Sequence, residues 1–381
     1  MKRLLVSFSG GETSGYMGWW IKENWSAAYD EIRFCFANTG EENEQTLEFV
    51  RRCDEHFGFS TVWIEGVQRH NQRVGPGFRI VDFASASRHG EPFEDAIRKY
   101  GIPNQKFKDC TRHLKQKPIE AWASSIGWAI GTYDLAIGIR ADEFDRVSAR
   151  AKERRLVYPL VRPNPMTKPK INQWWSLQPF RLELKGYQGN CKWCWKKSFR
   201  KHMTIIAETP EVYDFPRRME QLYNHVGPEF RHDPATRREP IKDTYRRTFF
   251  RGSRTVDQLF EYAAELRAKG TPLATDEAQV FDPSLDEGGR CQEACEVFGD
   301  EEPTPKRRSD RLGSETRLWL VRGAGSNPYR AGTRIHRDMQ LLLDRPGLTL
   351  DEYEAAGGTR QTVQWTLSNG HSSTSEPAAA E

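Results

Sequence analysis

No stretch of this 381-residue chain approaches the ~20 consecutive apolar residues that a membrane span needs. The opening Met1-Lys2-Arg3-Leu4-Leu5-Val6-Ser7-Phe8 turns polar too soon for a secretory signal. Both absences predict a soluble, cytoplasmic protein with no membrane partner. Cysteine is sparse, and seven residues in a chain of this length exclude a disulfide-stapled secreted scaffold. A strong excess of one charge is missing too, with 57 Lys and Arg against 53 Asp and Glu, a net charge of +4. Bulk charge therefore selects no partner. Its distribution says more, because basic residues crowd 146–155, 192–201, 231–254 and 306–311, with aromatics interleaved. That pattern suits a polyanion, while any single cluster also reads as a solvated helix face. Internal repeats are absent.

What is present is length enough for two or three domains and a distinct change of pattern along the chain. Arg3–Phe8 has the length of a buried strand and is broken by Gly10-Gly11. Thr13-Ser14 then stand where a helix cap would, ahead of Tyr16, Met17, Trp19, Trp20 and Ile21. Ile32–Ala37 reads as a second strand, Glu44–His56 as a helix, Thr61–Ile64 as a third strand, Leu114–Ile126 as a helix and Asp134–Ile139 as a fourth strand. Alternating strands and helices predict an α/β fold with a doubly wound, mostly parallel sheet. Ligands of such sheets sit beyond the C-terminal strand ends. The loop Ser9–Ser14, the pair Asn38-Thr39 and the segment Gly138–Arg140 all fall there.

The pattern predicts a nucleotide-binding domain over 1–185 and a cysteine-containing, basic, mostly helical region over 186–300. A linker over 301–325, a small helical module over 326–370 and a disordered tail over 371–381 follow. Within the module, Arg334–Leu343, Thr349–Ala356 (capped by Thr349 and Asp351) and Thr359–Leu367 read as helices. Their spacing fits either a helix–turn–helix DNA-binding unit or a packing module, which leaves a homo-oligomer open.

The chemistry concentrates first on Ser9-Gly10-Gly11-Glu12-Thr13-Ser14. A glycine-containing loop entering a helix aims backbone N–H groups at an anion, and the helix dipole favours negative charge. Ser9, Thr13 and Ser14 add hydroxyl donors. No Gly-Lys-Ser/Thr ending is present, which excludes an ordinary Walker A loop. Ser7-Phe8-Ser9-Gly10-Gly11-Glu12-Thr13-Ser14 resembles instead the Ser-Gly-Gly-x-Asp-Ser loop of PP-loop ATP pyrophosphatases, with an adenine nucleotide α-hydrolase-like fold. Four further segments are similar to the phosphoadenosine phosphosulfate (PAPS) reductase branch and its DNA-phosphorothioation relatives. They are Phe36–Gly40 with Glu44–Val50, Cys110–Pro118, Gly138–Glu143 with Arg146, and Tyr158-Pro159-Leu160. Thr13 stands where that family has Asp.

The resemblance implies cleavage of ATP to AMP and pyrophosphate with adenylation of an acceptor, and a Mg²⁺ ion bridging phosphate oxygens. It places Ser9, Gly10, Gly11, Thr13, Ser14, Asn38, Thr39 and Gly138 around the nucleotide, and Arg140, Glu143 and Arg146 at the reacting phosphate. Relatives modify DNA or tRNA, so nucleic acid is the expected partner, with a sulfur-donor protein as a further one. Phage-type chains also belong to this branch, which would place such a protein in a host cytoplasm.

Cys191-Lys192-Trp193-Cys194 is a CxxC, and Cys291 and Cys295 form a second close pair. Paired thiolates suit tetrahedral zinc or an iron–sulfur cluster. The resemblance adds Cys110 and implies a cluster on Cys110, Cys191 and Cys194 with Cys291 or Cys295. Cys35 and Cys53, by contrast, read as core thiols. The Glu-Cys-Gly-x-His segment that PAPS reductases use is not found, which ranks sulfate reduction below nucleic-acid modification or sulfur transfer. The third reading is a nucleotide-binding, DNA-associated protein without turnover.

Overall fold

Strand β1 (Arg3–Ser7) is the apolar run Arg-Leu-Leu-Val-Ser, with only Arg3 reaching solvent, so it must be covered on both faces. In the computed structural model, which describes residues 1–70, 74–227, 230, 246–273, 317–320, 334–358 and 372–373, β1 is a central strand. It pairs in parallel with β2 (Glu31–Asn38) on one side and with β5 (Asp134–Ala136) on the other. Beyond β2 lies β3 (Val62–Val67), parallel, and then β4 (Gly77–Val81), antiparallel. Beyond β5 lies β6 (Leu156–Val157), parallel. The six strands run in the order β4-β3-β2-β1-β5-β6. The fold is α/β, a mostly parallel sheet with flanking helices.

Parallel neighbours need crossover connections. Helix α1 (Glu12–Trp25) joins β1 to β2, and α2 (Glu44–Phe57) joins β2 to β3. Helix α2 turns Leu47, Val50 and Cys53 inward and ends on Gly58, whose φ of 63° closes the last turn. These side chains pack with Leu4, Val6, Met17 and Phe36 in one apolar core. Cys35 and Cys53 are buried core thiols, and burial pushes both well above the ordinary thiol range. The chain winds outward from β1 to β4, then resumes on the other side of β1 with β5 and β6. The switch point of this topology is therefore the gap between the C-terminal ends of β1 and β5, where open α/β sheets take ligands.

Three expectations need correction here. Thr13-Ser14 do not cap α1; Gly11 is its N-cap, without a side-chain cap. The helix expected from Leu114 opens instead as a π-helical turn, Thr111–Gln116, before α4 (Lys117–Ser125). The fourth expected strand stops at Ala136; the Ile137 N–H still donates to the Val157 carbonyl at 3.0 Å, but the Ile139 N–H turns back onto the Ile137 carbonyl at 3.0 Å.

A second core gathers α3 (Glu91–Tyr100), α6 (Phe199–Glu208), α7 (Asp214–Tyr223) and α8 (Val256–Ala268) around Trp193, Tyr213 and Phe249. Helix α5 (Lys168–Ser176) packs on α1. The chain divides into two compact units, residues 1–140 with 148–300, and residues 141–147 with 301–381. The second unit contains helices α9 (Arg334–Asp344) and α10 (Leu350–Ala355) and a small antiparallel sheet of β7 (Arg317–Leu320), β8 (Leu348–Thr349) and β9 (Ser372–Ser373). Helix α10 carries a capping box between Thr349 and Glu352, so Glu352 rather than Asp351 completes the cap. The expected helix Thr359–Leu367, Cys291 and Cys295 lie outside the described residues.

Candidate active site

The loop after β1 is built by its own serines. The Ser14 hydroxyl donates to the Gly11 carbonyl at 2.9 Å and accepts the Ser9 N–H at 3.2 Å, while the Ser9 and Ser14 hydroxyls meet at 2.9 Å. Gly10 has φ +78°, and a Cβ there would stand 2.6 Å from the Thr46 methyl of α2. Glycine is thus required at that position by backbone and neighbour alike. The loop is braced from behind. The Trp175 indole of α5 donates to the Glu12 carbonyl at 2.8 Å, and Arg181 holds the buried Glu12 carboxylate at 3.0 Å. The first turn of α1 thereby presents N–H groups that lack intrahelical acceptors, a ready anion seat.

The segment after β5 meets this loop at the switch point. A Cβ on Gly138 would lie 3.4–3.5 Å from Ser14, so the two backbones run side by side. Arg140 is only 4% exposed, and its Nη1 donates to Thr13 Oγ1 at 3.1 Å. Thr13 brings no charge to this pair, so the pair does not itself neutralise the guanidinium. Glu143 and Arg146 form a 2.6 Å ion pair in the segment Ala141–Arg146 that belongs to the second unit.

Asn38 is fully buried at the end of β2. Its amide donates to Glu65 Oε1 at 2.6 Å and to the Ser87 carbonyl at 2.9 Å, and its Oδ1 accepts the Gly40 N–H at 3.1 Å. These bonds shape the turn that follows. Thr39 donates through N and Oγ1 to Glu42, and its hydroxyl stands 3.7 Å from Cys191 Sγ. Glu42 lies 3.6 Å from the ammonium of Lys115, and both are buried.

Cys110 begins the π turn, and Cys191 and Cys194 lie on a tight turn in which the Cys194 N–H donates to the Cys191 carbonyl at 3.1 Å. All three line one small cavity, together with Thr39, Lys115 and Trp195. Lys115 also lines a neighbouring cavity with Ser9, Gly10 and Glu42. The thiols and the phosphate loop therefore share a lysine as a common wall. Among the described residues, no group of three or more Cys, His, Asp or Glu side chains is arranged to hold a metal ion. Yet the donor set suits a thiolate-ligated centre. The buried Trp195 indole N–H has no hydrogen-bond partner among the described residues, and such groups are rarely left so without a ligand or water.

Sequence reasoning missed Lys115, Glu42, Trp195 and the Glu12–Arg181 brace. Lys115 and Glu12 stood inside quoted motifs, and only their side-chain directions were hidden. Arg181 and Trp195 lie in irregular stretches that carry no periodic signal.

No protein-family model matches the chain. A similar protein is the uncharacterized nin region protein ORF290 of Escherichia phage lambda, 27% identical over 298 residues, which are 77% of this chain and 95% of that protein. Among solved structures, the chain is similar to the U34-tRNA thiolase NcsA from Methanococcus maripaludis with its [4Fe-4S] cluster. The identity there is 16% and the TM-score 0.32, over 59% of this chain and 73% of that one.

Proposed function

We propose that this chain is a PP-loop-type enzyme that cleaves ATP to AMP and pyrophosphate, adenylating an acceptor in nucleic-acid modification or sulfur transfer. The observation that carries the reading is the junction of the phosphate loop with Arg140 at the topological switch point. An acceptor oxygen attacks the α-phosphorus, the bond from that phosphorus to the bridging oxygen breaks, and pyrophosphate leaves with the electron pair. The N–H groups of the loop, with the Ser9 and Thr13 hydroxyls, hold the departing pyrophosphate. Arg140 neutralises charge on the α-phosphate. Arg146, as a second cation, and Glu143, as the carboxylate that holds it, are the other catalytic candidates. Mg²⁺ bound with the phosphates would add to that neutralisation.

Cys110, Cys191 and Cys194 would hold an iron–sulfur cluster, with zinc as the alternative, and such a centre would supply sulfur-binding or electron-transfer chemistry beside the nucleotide. DNA or tRNA is the proposed acceptor, and a sulfur-donor protein a proposed partner. The phage-encoded relative supports action in a host cytoplasm. Thr13, where an acidic residue would stand in the resembled family, favours one competing reading, nucleotide binding without turnover.

Titration calorimetry tests the loop. Gly11→Asp sets a carboxylate against the phosphates and is expected to weaken ATP binding by at least about 100-fold, roughly 2.7 kcal/mol. Equal affinity in wild type and variant contradicts the assignment.

A further inference from the structure

A third cavity is linked to the thiol cavity through the Trp193 indole. The indole lines the thiol cavity, and its Nε1 donates to Glu41 Oε2 at 2.5 Å. Glu41 in turn lines a cleft of about 310 Å³ with Arg88, His89, Lys192, Phe215 and Arg218. The Lys192 N–H donates to the Glu41 carbonyl at 2.9 Å, so the cleft wall and the CxxC turn are one piece of backbone.

The charges in the cleft are arranged for an anion. Lys192 has no carboxylate within ion-pair distance among the described residues, and its ammonium reaches only the Arg88 carbonyl at 3.4 Å. Arg88 pairs with Glu44 at 2.8 Å, and Arg218 pairs more loosely with Glu94 at 3.4 Å. Partly exposed pairs of this kind are weak and screened by solvent, so a phosphate can compete for the guanidinium groups. Glu211, on the rim, is a solvated carboxylate. Burial raises the Glu41 carboxyl to about 7, which removes much of the negative charge from the floor. Phe215, 8% exposed and stacked on Trp193 with Arg218 over its ring, adds a small apolar edge beside the cations. The volume sits at the lower end of ligand pockets, roughly 300–1,000 Å³, which is too small for a duplex.

We propose that this cleft receives one unstacked nucleotide of a single-stranded nucleic acid, its phosphates on Lys192 and Arg218 with Arg88 at the rim and its base against Phe215. The inference rests on nucleic acid being the acceptor, and it says where the acceptor lies: one hydrogen bond away from the thiol cavity. Extruded or single-stranded bases are read in this way, by a cationic track beside an aromatic face.

Fluorescence anisotropy with labelled single-stranded RNA and DNA oligonucleotides, without ATP, is the test. The assay is therefore independent of the ATP reading and fails separately from it. The wild type is expected to bind a single strand more tightly than a blunt duplex. Lys192→Ala with Arg218→Ala is expected to weaken that binding tenfold or more and to reduce the slope of log K against log salt by about 1.4, near 0.7 per lost phosphate contact. The conservative pair Lys192→Arg and Arg218→Lys is expected to retain most of the affinity, which separates charge loss from misfolding. Arg33→Ala, a remote exposed site on β2, is expected to bind as wild type does. Absence of single-strand binding by wild type overturns the proposal. So does an unchanged affinity and salt slope in the alanine pair, or binding of inorganic phosphate alone.

Discussion

At the scale of single residues, the contact between Arg140 and Thr13 joins two strand ends across the switch point. If Arg140 meets charge that develops on the α-phosphate, Arg140→Ala lowers kcat by about 10²–10³-fold with a smaller change in KM for ATP, which steady-state kinetics with a functional acceptor will show. A purely structural role would lower stability and leave kcat of the folded fraction unchanged. A second residue makes a prediction about pH. His202 is fully buried, with Nδ1 at 2.7 Å from the Tyr213 hydroxyl, and burial lowers its imidazole from 6.5 to about 3. Between those values the unfolded chain carries a proton that the folded chain does not. Stability from this group is complete above about 6.5 and falls as pH drops towards 3, by about 1.4 kcal/mol per unit within that window. The unfolding free energy of wild type relative to His202→Phe, measured in urea at pH 7 and pH 5, should therefore fall on acidification. A difference that is the same at both values would contradict the burial.

At the scale of elements, two short turns and one helix do most of the positioning. Helix α5 braces the phosphate loop, since the Trp175 ring meets Gly15 of α1 while its indole holds the Glu12 carbonyl. Trp175→Ala removes a fully buried ring and is expected to cost about 3–5 kcal/mol and to weaken ATP binding, read by thermal unfolding and calorimetry together. The CxxC turn and the π turn bring three thiols to one cavity. Cys191→Ser with Cys194→Ser is expected to release metal and lower the melting temperature in anaerobically purified protein. Metal-free wild type of full stability would return these residues to packing roles. Elements were legible in the sequence where burial imposed a continuous apolar run, as in Arg3–Phe8 and Ile32–Ala37. Strand β4 was not, because it is an edge with Ile80 63% exposed and no clean alternation. The π turn was hidden because one inserted residue shifts the helical period only locally. The two-residue strands β6, β8 and β9 are held by partners distant in sequence, which local patterning does not contain. The site was legible to the same extent: motif residues at strand ends were found, and Arg181, Trp195 and the direction of Lys115, fixed only by tertiary packing, were not.

At the scale of the whole molecule, the strand order places the phosphate loop and Arg140 at one end of the sheet, and the second core supplies the thiols next to them. Lys115, on the π turn, faces both. The proposed chemistry depends on this arrangement, because breakage between the α- and β-phosphates needs the pyrophosphate seated on the loop and the acceptor on the other side of the α-phosphorus. A nucleotide-binding protein without turnover would keep the seat and release no product. Identification of the nucleotide products decides between them. Purified, metal-replete protein incubated with ATP, Mg²⁺ and single-stranded nucleic acid is predicted to release pyrophosphate in an amount equal to the sum of adenylylated nucleic acid and free AMP, resolved by anion-exchange chromatography, at a rate reduced in the Gly11→Asp variant. Formation of ADP and phosphate as the main products, or no cleavage of ATP at all with nucleic acid bound, would contradict the account.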